Sequence, residues 1–162
     1  MATRLNIRSG SRDWRGKILS NLAETPFKIG ADLFQCVEAP LQGIKFKSPS
    51  MRRKVFAMSG KEALMEGREV TLSIKEGEEL FVYWQNEKII YNSIDHRMLI
   101  AMFIHEKVRQ NSRVQAALLA TSGSFIFHDV GEENPHTSLP ERFYIEVLLA
   151  ERGLLKKLIQ IK

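Results

Sequence analysis

Glu38-Ala39-Pro40-Leu41-Gln42-Gly43-Ile44-Lys45-Phe46 is the stretch on which the fold turns. At about 100° per residue it sorts into two helical faces. Val37, Leu41 and Ile44 form an apolar side for a core. Glu38, Gln42 and Lys45 fall within roughly a 60° arc beside it, a file of carboxylate, amide and ammonium. Pro40 fits only a first turn, where its missing N–H needs no partner. Glu38 therefore sits at the mouth of the helix, near the positive end of its dipole. A pattern of this kind is most often an amphipathic helix with a solvated polar face.

Outward from that helix, Ser20 to Gly30 reads as loop and extended chain, and Asp32 to Val37 leads in. Lys47-Ser48-Pro49-Ser50 leads out, since Pro49 cannot continue a helix and Ser50 can cap the next. Met51 to Met58 is that next helix, followed by a short piece, Lys61 to Gly67. Val70-Thr71-Leu72-Ser73-Ile74 alternates, Lys75 to Glu79 turns, and Leu80-Phe81-Val82-Tyr83-Trp84 answers, which predicts a β-hairpin over 70–84. Tyr91 to Gln110 is the clearest helical segment, with Ile94, Met98, Ala101, Met102, His105 and Val108 as its stripe. Val114 to Ala120 is a short helix, Phe125 to Phe127 a strand, and His128 to Pro140 a polar loop. Glu141 to about Gln160 is a closing helix with Tyr144, Val147, Leu148, Leu154, Leu155 and Leu158 on its core face. Leu5-Asn6-Ile7 is a short strand. The expected class is α+β, mainly helical, with short strands and a hairpin.

The 162 residues suit one domain, 1–162, large enough to bury a core without staples. The single cysteine, Cys36, excludes an intramolecular disulfide and suits a buried thiol. The net charge of +5 suits an anionic ligand or nucleic acid, and the basic excess is clearest at Arg4, Arg8, Arg12, Arg15 and Lys17. That start is also compatible with a transit peptide, a reading set aside because Leu5 to Ile7 forms a strand. No run has the length of a membrane span, so no membrane partner is expected and a cytoplasmic setting is the default. His128, Asp129, Glu132, Glu133 and His136 cluster but match no zinc spacing, and no metal is expected. Phosphate-loop, dinucleotide and serine-hydrolase signatures do not occur.

Three blocks together carry a resemblance: Ser20-Asn21-Leu22, Pro26-Phe27-Lys28-Ile29-Gly30, and Glu38-x3-Gln42-x2-Lys45-Phe46. They are similar to the opening of the NADAR family, the YbiA-like N-glycosidases. Met98-Leu99 through Gln110-Asn111, Leu118 to Thr121, and Val147-Leu148-Leu149-x2-Arg152 continue the likeness more weakly. Ala39 stands where the family has a His, and 134–140 lacks the family's glycine-rich loop. The 70–84 hairpin reads as an insertion.

The resemblance implies a hydrolase of N-glycosidic bonds that needs no cofactor. Its substrate would be a phosphoribosylated aminopyrimidine of riboflavin synthesis, or ADP-ribose on a guanine of nucleic acid. Glu38 matches the catalytic Glu, and Glu133 falls where the family's Asp is counted from Thr121. Carboxylates serve such chemistry by stabilising an oxocarbenium-like state, activating water or protonating the leaving group. Tyr91 or Trp84 would stack on the base, and His136 would stack or supply a proton. Lys45 would meet a phosphate or ribose hydroxyl, and Ser20, Asn21 and Gln42 complete the substrate contacts. A relative that binds a nucleotide or ADP-ribosyl group without cleaving it is the alternative, motivated by Ala39 and the missing loop. Binding of nucleic acid through the basic N-terminus is a third. Oligomeric state stays open.

Overall fold

The computed structural model describes residues 3–161. In chain order it runs β1 (Arg4–Asn6), α1 (Trp14–Leu19), β2 (Phe27–Ile29), β3 (Asp32–Phe34), α2 (Glu38–Gly43), α3 (Pro49–Phe56) and α4 (Gly60–Leu72). It continues through β4 (Phe81–Trp84), β5 (Glu87–Ile90), α5 (Ile94–Gln110), α6 (Ser112–Ala120), β6 (Phe125–Phe127) and α7 (Glu141–Gln160). This is an α+β architecture of helices with three two-stranded sheets among the described residues. Short polar side chains start the helices by accepting from free backbone N–H groups: Asp13 from Arg15, Ser48 from Met51, Ser59 from Glu62 and Ser93 from His96. β1 and β6 pair in parallel, Leu5 opposite Ile126; β2–β3 and β4–β5 are antiparallel hairpins.

α2 lies at the centre, packed between α3 and α4, with all six of its residues buried. Around it Phe27, Phe34, Leu41, Ile44, Phe103, Ile104, Leu118, Tyr144 and Leu148 form one core. Gly43 gives α3 its close approach, since a Cβ there would lie 2.5 Å from the Phe56 ring. None of the helices among the described residues is long and apolar enough to cross a membrane.

Four expectations are corrected. The 70–84 hairpin does not form: Val70, Thr71 and Leu72 are the last turn of α4, and Phe81–Trp84 pairs instead with Glu87–Ile90. A capping box between Ser59 and Glu62 nucleates α4, so the helix carries on well past Gly67 and overrides the local β-like alternation. Residues 14–18, expected as loop after the first strand, belong to α1, while the extended chain expected before Gly30 pairs with Asp32–Phe34 as the β2–β3 hairpin, turning through Gly30 at φ 58°. On α5, Ile94 and Met98 are exposed, and the buried face is Leu99, Ile100, Phe103, Ile104, Lys107 and Val108. On α7, Tyr144 and Leu148 are buried but Leu154 and Leu158 are exposed, because the helix runs past the edge of the core after Glu151. Periodicity identifies these helices and their phase is set by what they pack against.

Candidate functional site

A cavity of about 400 Å³ opens beside α2. Ser20, Asn21, Glu38, Gln42, Lys45, Tyr91 and His136 all line it, although the chain separates the first from the last by 116 positions (136 − 20). The polar face of the central helix is not solvated. Glu38 is 4% exposed, Gln42 6% and Lys45 8%. Charged and amide groups are this buried only when partners hold them.

Glu38 has such partners on both oxygens. Its Oε1 accepts from Gln42 Nε2 at 2.5 Å, one helical turn on, and its Oε2 accepts from Asn21 Nδ2. The Asn21 carbonyl in turn accepts from the Glu38 backbone N–H at 3.0 Å. One asparagine thus fixes both the main chain and the side chain of Glu38. Burial pushes the Glu38 carboxyl above its usual range, against the opposing pull of Gln42, Lys45 and Asn21, which favour the charged form.

Lys45 completes the file. Its Nζ donates to Thr71 Oγ1 at 2.8 Å and to the Gly67 carbonyl at 3.5 Å, both on α4. It also lies 5.9 Å from the centroid of the Tyr91 ring. Burial lowers its pKa to about 8, while the nearby Glu38 works to raise it. The sequence expectation gave Lys45 to a phosphate or ribose hydroxyl; its ammonium is instead engaged with α4.

Tyr91 closes the far wall, its hydroxyl donating to the His136 carbonyl at 2.6 Å. Ser20 is buried and its Oγ accepts from the Leu22 N–H at 3.3 Å, so it shapes the turn that carries Asn21. Two expected residues lie elsewhere. Trp84 sits among core aromatics, with ring centroids 5.2 Å from Phe103 and 6.4 Å from both Phe34 and Phe56. Its indole is drawn inward because β4 packs its face on that core. Glu133 does not line the cavity. Its Oε2 accepts from the Glu141 N–H at 2.8 Å, at the start of α7, where the helix dipole favours a carboxylate.

Other lining residues went unseen in the sequence. Arg68, Thr71 and Leu72 come from α4, which the sequence reading stops at Gly67 and follows with a strand from Val70. The capping box Ser59-Gly60-Lys61-Glu62 was the available signal for that helix. His128 lines the cavity with its Nδ1 at 2.5 Å from the Ile7 carbonyl, so that nitrogen carries the proton and donates. Nε2 is then the free ring nitrogen. Among the described residues no group of three metal-binding side chains converges. Glu38 is the one acidic residue on the cavity wall among them.

The arrangement offers a single buried carboxylate, held by two amides and backed by a lysine, facing a cavity with an aromatic ring and two imidazoles. That set can stabilise a developing cation or hold a nucleophilic water. A family model described as Bacteriophage protein GP30.3 matches residues 13–153. An uncharacterized 17.1 kDa protein in the Gp30-rIII intergenic region of Enterobacteria phage T4 is 31% identical over 146 residues, 89% of this chain and 93% of that protein. The NMR structure of the E. coli protein YbiA matches with a TM-score of 0.65 at 20% identity, covering 96% of this chain and 87% of YbiA.

Proposed function

We propose, from the premise that this chain belongs to the bacteriophage GP30.3 family and is a divergent NADAR protein with the YbiA fold, that it hydrolyses an N-glycosidic bond of a ribosylated base. The observation that carries this reading is Glu38: a carboxylate buried on a cavity wall, with each oxygen accepting from a fixed amide. A carboxylate that merely compensated a helix dipole would need neither amide nor cavity. In the reaction, water adds at the anomeric carbon, the carbon–nitrogen bond breaks, and the base leaves with a proton. Glu38 faces the positive charge that builds on the ribosyl ring, or takes the proton of the attacking water. Tyr91 provides a face for the base. His136 supplies the leaving-group proton, because Glu133 is committed to α7. The substrates are a ribosylaminopyrimidine phosphate or ADP-ribosylated guanine.

A second reading is supported by the same wall. With Glu38 as its one carboxylate, the cavity also suits a module that binds a nucleotide or ADP-ribosyl group without cleaving it. A product assay separates the two. Wild type, Glu38→Gln and Glu133→Gln are incubated with each substrate class, and released base is followed by mass spectrometry. Wild type and Glu133→Gln release base, while Glu38→Gln loses turnover by about a hundredfold or more. Undiminished release by a folded Glu38→Gln sinks the assignment. No release by any of the three, with melting raised by ADP-ribose, establishes the binding module.

A further inference from the structure

The cavity at Glu38 is one of two that meet. A second, of about 740 Å³, lies under the segment 73–80 and shares Thr71, Leu72, Tyr91 and His136 with the first. They are adjoining chambers, and Tyr91 and His136, joined by a hydrogen bond, line both.

The chambers differ in charge. The inner one has Lys45 and Arg68 against Glu38 alone. Lys45 is spent on Thr71 and Gly67. Arg68 is exposed and makes no ion pair among the described residues, so its guanidinium is available to an anion. It follows Gly67, against which Gln42 packs, so it stands one residue along α4 from the Glu38 network. The outer chamber is the reverse. Glu76, Glu78 and Glu79 outnumber Lys75 on its wall, beside Ile74, Leu80 and Ile90. A phosphate there meets three carboxylates; a flat ring meets apolar walls and hydrogen-bond acceptors.

We propose that the site takes its substrate in one orientation, the phosphate in the inner chamber on Arg68 and the heterocyclic base in the outer chamber beneath 73–80. Tyr91, which lines both chambers, then lies along the base, and the anomeric carbon faces Glu38. The identity of the ligand as a ribosylated base rests on the N-glycosidase reading; the polarity of the site rests on Arg68 and the acidic outer wall.

Titration calorimetry tests it without turnover, using ribose 5-phosphate, guanosine 5′-monophosphate and guanosine against wild type, Arg68→Ala and Ile74→Trp. Ile74 lines only the outer chamber. Arg68→Ala weakens both phosphorylated probes by about tenfold, one charge-assisted contact, and leaves guanosine unchanged. Ile74→Trp abolishes the advantage of guanosine 5′-monophosphate over ribose 5-phosphate and leaves ribose 5-phosphate unchanged. Equal loss of guanosine and its phosphate in Arg68→Ala overturns the proposal. So does an unchanged preference in Ile74→Trp, or a wild type that binds none of the three. A protein that binds as expected yet releases no base in the product assay keeps this orientation and loses only the glycosidase reading.

Discussion

Glu38 owes its character to three neighbours and to burial. Desolvation favours its neutral form, while Asn21, Gln42 and Lys45 favour the ionised one, and desolvation prevails. Lys45 is shifted the other way, to about 8, again by burial. If Glu38 acts as the carboxylate, the rate rises with pH through a value above the ordinary 4.5. The acid limb of the wild-type pH–rate profile is therefore displaced toward neutrality. An acid limb at or below the ordinary carboxylate value contradicts the buried setting of Glu38. The sequence made Glu38, Gln42 and Lys45 legible because helical spacing alone puts them on one arc. It also put Glu133 forward by counting from Thr121, and counting along a loop carries no geometry. Only the folded loop shows that carboxylate bonded to the start of α7.

At the scale of the element, α4 is where local pattern and fold part. Val70-Thr71-Leu72-Ser73-Ile74 alternates like a strand, yet three of those residues end a helix started by Ser59 and Glu62. Continued as a helix, the segment delivers Gly67, Arg68 and Thr71 to the site. Gly67 matters by what it lacks: a Cβ there would fall 1.7 Å from Gln42 Oε1. Gln42 thereby lies close against α4 while its amide donates to Glu38. In an ordinary helix interior Gly→Ala stabilises by about 0.5–1 kcal/mol. Gly67→Ala is expected to do the opposite, costing about 1–3 kcal/mol as overpacking and lowering turnover by moving Gln42 off Glu38. Urea midpoints and the product assay, run on the same preparation, check both halves. A Gly67→Ala protein more stable than wild type would show that the contact is not tight.

Across the whole molecule, the turn that carries Asn21 is held from behind by two distant helices. Lys107 on α5, 2% exposed, donates to the carbonyls of Leu19 at 3.3 Å and Ser20 at 2.7 Å. Tyr144 on α7 donates to the same Leu19 carbonyl. Burial lowers the Lys107 pKa to about 7 from an ordinary 10.5. The unfolded chain then binds more protons than the folded one above pH 7, so stability rises with pH there, and Lys45 adds to it above 8. Above about pH 9 the climb slows, and beyond the ordinary lysine value of 10.5 it reverses, as the thiol of Cys36 and the hydroxyls of Tyr91 and Tyr144, all raised by burial, hold protons that the unfolded chain releases. The melting temperature of the wild type should climb between about pH 7 and 9, and Lys107→Met should flatten that climb. A flat wild-type profile would mean that burial does not lower the Lys107 pKa. The sequence by itself determined the α+β class, most helices, the central amphipathic segment and the Glu38–Gln42–Lys45 file, because spacing and caps are local. Tertiary structure alone decided that this file is buried, that α4 carries Arg68 and Thr71 to it, that Trp84 and Glu133 are turned away, and that Lys107 and Tyr144 grip the Asn21 turn. Those facts depend on which faces meet across many positions of chain, and no periodicity records the partner of a face.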